Sequence, residues 1–488
     1  MNQLKEESTR DKVYKGLSAQ TLVTIVMGLL EVGAFAIMSR LLTPEDFGYY
    51  AIIIAVTSLF QCLTEAGLGS AVIQRSNVTS GYISTALALS VLIGSIFTVL
   101  LFILAQPLSQ LVGQGTTLTT SFRWMSITLI LCSINSVTRA MFMRRLNFLK
   151  FGWCQVGAYI ISSAIGIIMA IKGYGLDAII TTTIVNIALM TIILFIVDGT
   201  YPSIKIERKY ITEIASYGGW LTGSVILRRI TTEFDKLILT HWIPVAAIGA
   251  YNRPSNFISR IQEQVIGVFD TVLFPILSSL NSDPERLNST FIKSISLVSW
   301  FSTIFAACFF ICAEVLIDIF FGADWIWLTD IFRILSVSII FLSHSRIGDC
   351  YFRSLGWMKA YFNIRLATCI FTLACVYIGC RYDILGVAIG VVISRIFDCI
   401  IKYGYLSFRM SVPTIDIIKA AIVSTWLTLI VAGISYIVIL CMNHGEYIGI
   451  ILFITCYLLL LLFKPKWFGQ EYYDNIYMVA KAKLSHHN

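Results

Sequence analysis

Residues 41–73 read LLTPEDFGYYAIIIAVTSLFQCLTEAGLGSAVI, a helix-start signal followed by a long apolar run. Thr43 is a residue type that caps helices, Pro44 suits the first helical position, and the two acidic residues that follow favour the positive end of the helix dipole. The predicted span 46–73 exceeds the roughly 20 residues that cross a hydrocarbon core about 30 Å thick. This stretch therefore predicts a helix that crosses a membrane.

Similar apolar runs recur along nearly the whole chain. Of its 488 residues 57% are hydrophobic and 13% are charged, and the mean hydropathy of +0.80 lies outside the range of soluble domains. The runs do not alternate with period two, which excludes a β-barrel. We predict an all-α integral membrane protein with about fourteen transmembrane helices. The predicted spans are 16–41, 46–73, 83–111, 118–142, 151–172, 175–198, 214–241, 248–275, 290–320, 327–354, 360–380, 384–407, 417–441 and 446–463.

Basic residues collect in every second connection, which predicts orientation. Positive charge marks the cytoplasmic side, so both termini are expected in the cytoplasm. The net charge of +8 follows from this bias and from attraction to anionic headgroups, and no feature suggests nucleic acid. The residues read as cytoplasmic are Lys5, Arg10, Lys12, Lys15, Arg75, Arg144, Arg145, Lys150, Lys205, Arg208, Lys209, Arg286, Arg353, Lys359, Lys402 and Arg409.

An internal repeat is visible at the starts of spans 2 and 8. Each start places a proline early, then an apolar residue, then Gly-x-Tyr: Pro44 with Gly48-Tyr49-Tyr50, and Pro244 with Gly249-Ala250-Tyr251. We expect the glycines to let the backbone turn tightly between antiparallel spans, and the repeat to comprise six helices in parallel orientation. The predicted domains are an N-terminal segment 1–15, an N-lobe 16–198, a linker 199–213, a C-lobe 214–407, two accessory helices in 408–463 and an amphipathic cytoplasmic tail 464–488.

Charged residues inside the apolar spans gather in spans 1, 2, 7 and 8, near the middle of the bilayer. Spans 3, 5, 6, 13 and 14 carry essentially none away from their ends, and we expect these to face lipid or to serve as scaffold. The charges are Glu31 in span 1, Glu65 in span 2, Arg228, Arg229, Glu233, Asp235 and Lys236 in span 7, and Arg253, Arg260, Glu263 and Asp270 in span 8.

Two interpretations of these charges stay open. Arg229 with Glu233, and Arg260 with Glu263, have the spacing of ion pairs within one helix that hold the bundle together. The alternative is a water-filled cavity between two lobes. We favour the cavity because a charge at the helix centre costs roughly 2.5–3.5 kcal/mol. If the charges served only to hold the helices together, small residues and hydroxyl groups could do so without that cost.

A second charged cluster lies closer to span ends, and we interpret it as structural or gating. His344 within it is also a candidate for a proton-linked site. The twelve cysteines lie almost entirely inside spans, where they pack as small apolar residues, and we expect no metal site. The cluster comprises Asp330, Arg333, His344, Arg346, Asp349 and Arg353 in span 10 with Arg395 and Asp398 in span 12.

Several short motifs resemble the polysaccharide flippases of the multidrug/oligosaccharidyl-lipid/polysaccharide exporter superfamily. The likeness covers spans 1–12, and its most specific part is the start of span 2. It implies two six-helix lobes in a V-shaped arrangement with two further C-terminal helices. The motifs are Leu41-Leu42-Thr43-Pro44-Glu45-Asp46-Phe47-Gly48, Ala66-Gly67-Leu68-Gly69, Gln74-Arg75, Asp235, Gly249-Ala250-Tyr251 and Phe274-Pro275-Ile276-Leu277.

The resemblance implies a transporter rather than an enzyme, located in the bacterial cytoplasmic (inner) membrane. Its cargo would be a polyprenyl-diphosphate-linked oligosaccharide, as in O-antigen, capsule and exopolysaccharide pathways, moved to the outer leaflet by alternating access. Its partners would be membrane lipids and the polymerase and export machinery of such a pathway. The absence of an Arg within the core of span 1 speaks against a flippase of peptidoglycan precursors.

The resemblance also assigns roles to the charges. Arginine suits a diphosphate because its planar fork donates two parallel hydrogen bonds, and the acidic residues would balance the cations or bind a coupling ion. The expected ligands of the cationic cavity are Arg228, Arg229, Arg253 and Arg260. The expected acidic or ion-coupling residues are Glu31, Glu65, Glu233, Asp235 and Glu263.

The energy source is not fixed by the sequence. The chain contains no P-loop motif, and no cofactor is expected. Transport would have to be driven by an ion gradient, with H⁺ or Na⁺ as the coupling ion, by the membrane potential or by consumption of the substrate.

Two alternative functions remain. A multidrug extruder of the same superfamily would favour an acidic cavity, and a membrane glycosyltransferase or polymerase would carry catalytic residues on a sizeable external loop.

Overall fold

The computed structural model describes residues 23–65, 69, 72, 79–113, 115–145, 147–198, 206–211, 219–280, 283–442 and 445–463. Within this part of the chain we find fourteen helices of at least 19 residues and no strand. The helices are α1 (Val23–Leu41), α2 (Pro44–Glu65), α3 (Ser80–Leu111), α4 (Thr119–Arg144), α5 (Phe148–Ile171), α6 (Leu176–Asp198), α7 (Gly219–Leu239), α8 (Val245–Ser279), α9 (Pro284–Ile311), α10 (Thr329–Ser354), α11 (Met358–Gly379), α12 (Asp383–Met410), α13 (Thr414–Cys441) and α14 (Gly445–Phe463).

Ten segments of these helices are long and apolar enough to cross a membrane, and one of them, Met358–Met410, joins α11 and α12. The predicted all-α, multi-pass membrane architecture is therefore confirmed. Helices α7 and α8 carry the charged residues that the sequence shows inside spans 7 and 8. The predicted N-terminal segment 1–15, the tail 464–488 and most of the linker 199–213 lie outside the described residues.

Helix boundaries follow the capping residues. The Thr43 hydroxyl accepts from the Asp46 amide at 3.3 Å, and the Asp46 carboxylate accepts from the Thr43 amide at 3.0 Å. This reciprocal capping box starts α2 at Pro44, as predicted. Asp283 caps α9 with a single bond, because its carboxylate accepts from the Arg286 amide at 3.2 Å.

The end of span 9 was predicted wrongly. The expected span 290–320 is broken at Cys312, where α9 ends and the separate short helix Ala313–Phe320 begins. A 3-10 segment, Ala323–Leu328, then leads into α10. The apolar composition continues through the break, so composition alone did not reveal it.

The contacts divide the chain into two units, Met1–Asn252 and Arg253–Asn488, and the division falls within α8. In the first unit α3 packs on α4, α5 on α6, and α2 on both α4 and α7. In the second unit α9 packs on α10 and α13, and α12 packs on α10 and α11. The first unit thus includes α7, because α7 lies along α2. The lobe boundaries proposed from the sequence stay a prediction.

Burial separates scaffold helices from peripheral ones. In α2, 61% of the apolar window is buried inside the protein, whereas the share is 28% in each of α3, α6 and α13. Since these peripheral helices carry large exposed apolar side chains, such as Ile103 at 67% and Ile196 at 65% exposure, they present the surface that lipid covers. One hydrophobic core cluster of the second unit is formed around Phe291, Tyr351 and Phe352.

The two repeated Gly-x-Tyr motifs meet in the first unit. A Cβ built at Gly249 would overlap the Pro44 carbonyl oxygen and would lie 2.6 Å from the Gly48 amide nitrogen. The glycines therefore allow two helices to touch, and the expectation that they serve tight turns is corrected. Helix contact requires the absence of a Cβ at this point, not a special backbone angle.

Candidate functional site

Helix α7 carries the densest set of predicted site residues. Arg228 is exposed and Arg229 is half-buried, whereas Lys236 and Glu233 are largely buried and form an ion pair of 2.6 Å. The pair is spaced three residues apart, so it lies on one helix face. The structure thus gives Glu233 a bond with Lys236, a residue to which the sequence assigned no site role.

Asp235 lies at the junction of α7 and α8. Its side chain is 7% exposed, and the Tyr251 hydroxyl donates to its carboxylate at 3.3 Å. Tyr251 belongs to the second Gly-x-Tyr motif and is itself buried. Asp235 therefore fixes the packing of α7 against the start of α8, and its proposed role with a coupling ion stays a prediction.

The cations of the second unit lie along α8. Arg253 is buried at 7% exposure, and Arg260 is exposed. Their spacing of seven residues amounts to about two helical turns, which puts both guanidinium groups on one face. Glu263 belongs to the same helix, and its side chain lies outside the described residues.

The remaining predicted residues lie on α1 and α2. Glu31 is half-buried in α1. Glu65 is the last residue of α2, and its side chain is outside the described part. The structure brings together Glu233 with Lys236 and Asp235 with Tyr251, while the grouping of the four arginines around one ligand stays a prediction.

A buried network of four charged side chains occupies the second unit. Lys402 of α12 is 1% exposed, and its ammonium lies 2.7 Å from the Asp349 carboxylate and 2.8 Å from that of Asp398. Arg365 of α11 donates to Asp349, and the Ser345 hydroxyl donates to Asp398. The two cations balance the two carboxylates, and the network joins α10, α11 and α12.

The sequence revealed only half of this network. Asp349 and Asp398 are in the predicted second cluster, but Lys402 was assigned to a cytoplasmic connection, which the structure corrects because Lys402 lies inside α12. Its position four residues after Asp398, on the same helix face, was the available signal. Arg365, a charge inside span 11, was also missed.

His344 lies beside this network. Its Nε2 is 3.1 Å from the Ser299 hydroxyl and its Nδ1 is 2.8 Å from the Tyr403 hydroxyl. Both ring nitrogens thus have hydroxyl partners that can donate or accept. His344 connects α9, α10 and α12 through hydrogen bonds with hydroxyl groups, which accords with the structural interpretation of this cluster, and its candidacy as a proton-linked site stays a prediction.

Sequence comparison links the chain to polysaccharide pathways. The profile of a family described as "Polysaccharide biosynthesis protein" matches residues 37–328, more than half of the chain. The lipopolysaccharide biosynthesis protein WzxC of Escherichia coli strain K12 is 22% identical over 438 residues, which cover 86% of this chain and 85% of WzxC. The succinoglycan biosynthesis transport protein ExoT of Rhizobium meliloti is 22% identical over 70% of this chain and 69% of its own length.

Solved structures show the same fold. The lipid II flippase MurJ, in an inward closed conformation, superposes with a TM-score of 0.71 at 16% identity, covering 90% of this chain and 97% of its own. An inward-facing multidrug resistance transporter of the MATE family gives a TM-score of 0.65 at 14% identity, covering 80% and 98%. The fold implied by the resemblance to the multidrug/oligosaccharidyl-lipid/polysaccharide exporter superfamily is therefore confirmed.

Proposed function

Because this chain belongs to the polysaccharide biosynthesis protein family, we propose that it moves polyprenyl-diphosphate-linked oligosaccharides from the inner to the outer leaflet of the bacterial cytoplasmic membrane by alternating access. The observation that carries the proposal is the family match over residues 37–328, a range that includes all four candidate arginines. The curated relatives named for lipopolysaccharide biosynthesis and succinoglycan transport support it.

The chemistry of α7 and α8 suits this cargo. A diphosphate carries its charge on planar groups of oxygens, which guanidinium groups bind through paired hydrogen bonds. Arg228 and Arg260 are exposed, and a charged side chain in a membrane helix faces water or protein rather than lipid. We therefore assign headgroup binding to Arg228, Arg229, Arg253 and Arg260.

The acidic residues would act when no substrate is bound. When no diphosphate is bound, carboxylates such as Glu31 would balance the cations, or would bind H⁺ or Na⁺ as a coupling ion. Glu233 already balances Lys236 at 2.6 Å, so the positive charge that α7 offers to a ligand comes from its two arginines and is reduced by one by Asp235. Both termini would lie in the cytoplasm, and a polymerase and export machinery would receive the flipped lipid.

The test is depletion of the protein in its host, followed by extraction of polyprenyl-diphosphate oligosaccharides and determination of the leaflet that holds them. We expect complete repeat units to accumulate on the cytoplasmic leaflet, and wild type but not Arg260→Ala to restore flipping. Arg286→Ala is the matched control, because Arg286 is an exposed arginine in the first turn of α9. Normal lipid-linked glycan together with altered sensitivity to cationic drugs would overturn the proposal in favour of a multidrug extruder, the activity named for the MATE structure.

A further inference from the structure

A groove of about 500 Å³ opens between α11 and α12 in the second unit. Away from Lys359 it is lined by small and aliphatic side chains, the buried Ile364 and the exposed Ala367 of α11 and the half-buried Ile401 of α12. The small side chain of Ala367 leaves the space that the groove occupies. From Lys359 at one end to Ala367 the groove follows eight residues, or about 12 Å of helix, which is close to the thickness of one leaflet's hydrocarbon.

The surface around the groove is apolar. Leu366 and Ile370 of α11 are 41% and 63% exposed, and Ile400 of α12 is 64% exposed. In a membrane protein such a surface is covered by lipid. The apolar part of the groove therefore lies within reach of acyl chains.

One end of the groove is polar and basic. Lys359 is exposed in the first turn of α11, and Asn363, one turn further, and Tyr405 of α12 complete the rim. The Arg409 guanidinium lies 5.4 Å from the Trp357 ring, and that ring is 6.1 Å from Tyr405. Tryptophan and tyrosine with nearby cations are typical of the headgroup level of a bilayer.

The residues that line the groove favour an anionic ligand. Of the described residues that line the groove, Lys359 is the only charged one and none is acidic. A site with an apolar stretch and, at headgroup level, a cation and an amide is complementary to a phosphate joined to acyl chains. Basic pockets between transmembrane helices bind anionic headgroups in this manner.

We propose that this groove binds one anionic glycerophospholipid, with its phosphate at Lys359 and Asn363 and an acyl chain along Ile364, Ala367 and Ile401. The lipid would pack against α11 and α12, the two helices that carry the buried Arg365 and Lys402. The site shares no residue with the arginines of α7 and α8, and binding of a lipid there does not depend on the proposed transport function.

The test is native mass spectrometry of the full-length protein in mild detergent, titrated with phosphatidylglycerol and, in parallel, with phosphatidylcholine. We expect one phosphatidylglycerol to bind in preference to phosphatidylcholine, and Lys359→Ala to weaken that binding about fivefold, the loss of one headgroup cation. Ala367→Phe fills the groove and should weaken binding of the lipid while leaving Lys359 in place.

Lys419→Ala is the matched control, because Lys419 is an exposed lysine near the start of α13 and does not line the groove. It should bind phosphatidylglycerol as the wild type does. Equal binding of the two phospholipids, or unchanged binding by both groove variants at native helix content, would overturn the proposal. Displacement of phosphatidylglycerol by an equimolar polyprenyl phosphate would also overturn it, and would assign the groove to the transported lipid instead.

Discussion

Gly249, near the start of α8, lies directly against Gly48, near the start of α2. A Cβ at position 249 would lie 2.6 Å from the Gly48 nitrogen, and a Cβ at position 48 would lie 2.7 Å from the Val245 Cγ1 and 2.8 Å from its carbonyl carbon. The two segments that resemble each other in sequence are thus the segments that touch. Glycine allows the two helices to approach to backbone contact, as small residues do in membrane bundles.

The contact predicts that Gly249→Ala destabilises the protein. The new methyl group would overlap the backbone at Pro44 and Gly48, and a backbone cannot rotate away as a flexible side chain does. We expect a loss of about 1–3 kcal/mol in the free energy of unfolding, the usual range for overpacking. Thermal unfolding in detergent, followed by intrinsic fluorescence, measures the loss.

Gly433→Ala is the control for this substitution. Gly433 lies in α13 with no atom within 4 Å of a built Cβ, so alanine there should be neutral or stabilising by up to about 1 kcal/mol. Equal melting temperatures for the two variants would contradict the role of the contact between α2 and α8.

Tyr251→Phe tests the bond between α7 and α8. Phenylalanine keeps the buried ring, which is 1% exposed, and removes only the hydroxyl that donates to Asp235 at 3.3 Å. Because the acceptor is a buried carboxylate, we expect destabilisation of about 1.5 kcal/mol, the lower end for bonds to charged groups. Tyr174→Phe, at a tyrosine that is 56% exposed, should leave the melting temperature unchanged. A Tyr251→Phe variant as stable as wild type would show that Asp235 is satisfied without this hydroxyl.

The sequence predicted the fold because membrane helices are local features. Each apolar run is long enough to need a helix wherever it lies, and capping residues such as Thr43 and Asp283 mark where helices begin. The break at Cys312 escaped prediction because the apolar composition continues through it.

The sites were predicted less completely because they depend on contacts between helices. The spacing of Asp398 and Lys402 is visible in the sequence, but Lys402 also lies near a span end, where a basic residue is expected in a connection. The bond of Arg365 with Asp349 joins two helices, and no periodicity along one helix reveals it. The same holds for Gly48 and Gly249, whose recurrence was visible but whose contact was not.

The segment 206–211 is bound to the start of α3. The Tyr210 and Thr79 hydroxyls lie 3.0 Å apart, and the Glu207 amide donates to Thr85 at 3.0 Å. We predict that Tyr210→Phe, which keeps the ring contact with Tyr82 and loses the hydroxyl, increases tryptic cleavage after Lys209. Limited proteolysis with mass spectrometry measures the rate. An unchanged rate would show that the hydroxyl pair does not hold the segment.

The same segment should respond to pH. The hydrogen bond with Thr79, followed by that with Lys209, lowers the pKa of Tyr210, and the hydrogen bond with Glu207 raises the pKa of Lys209. Because the pKa of Tyr210 is lowered in the folded protein, Tyr210 contributes stability that grows as the pH rises through this lowered pKa. Because the pKa of Lys209 is raised, Lys209 keeps its stabilising contribution until the pH exceeds this raised pKa. Cleavage after Lys209 should therefore slow, relative to the Tyr210→Phe variant, as the pH rises from about 8 toward the unperturbed tyrosine pKa of about 10. If the ratio of the cleavage rates of the wild type and the Tyr210→Phe variant is constant with pH, the pairing of Tyr210 with Thr79 and Lys209 is contradicted.

The buried network of the second unit predicts that Lys402→Met is strongly destabilising. Lys402 neutralises two carboxylates at 2.7 and 2.8 Å, and its loss would leave Asp349, Asp398 and Arg365 with a net negative charge in the interior. Breaking a buried ion pair on one side costs about 3–5 kcal/mol. Lys419→Met is the control at an exposed lysine, and unfolding in detergent measures both variants.

We expect Lys402→Met to destabilise the protein because it upsets the charge balance, rather than because it removes packing contacts. A double variant separates these two causes. Lys402→Met with Asp398→Leu leaves Asp349 paired with Arg365, so the interior returns to neutrality although two polar groups are gone. We therefore expect the double variant to be more stable than Lys402→Met alone, because replacing both partners of a buried pair by apolar residues is often nearly neutral. If the two substitutions instead destabilise additively, the network contributes through shape, and the balance of charge among α10, α11 and α12 does not decide its stability.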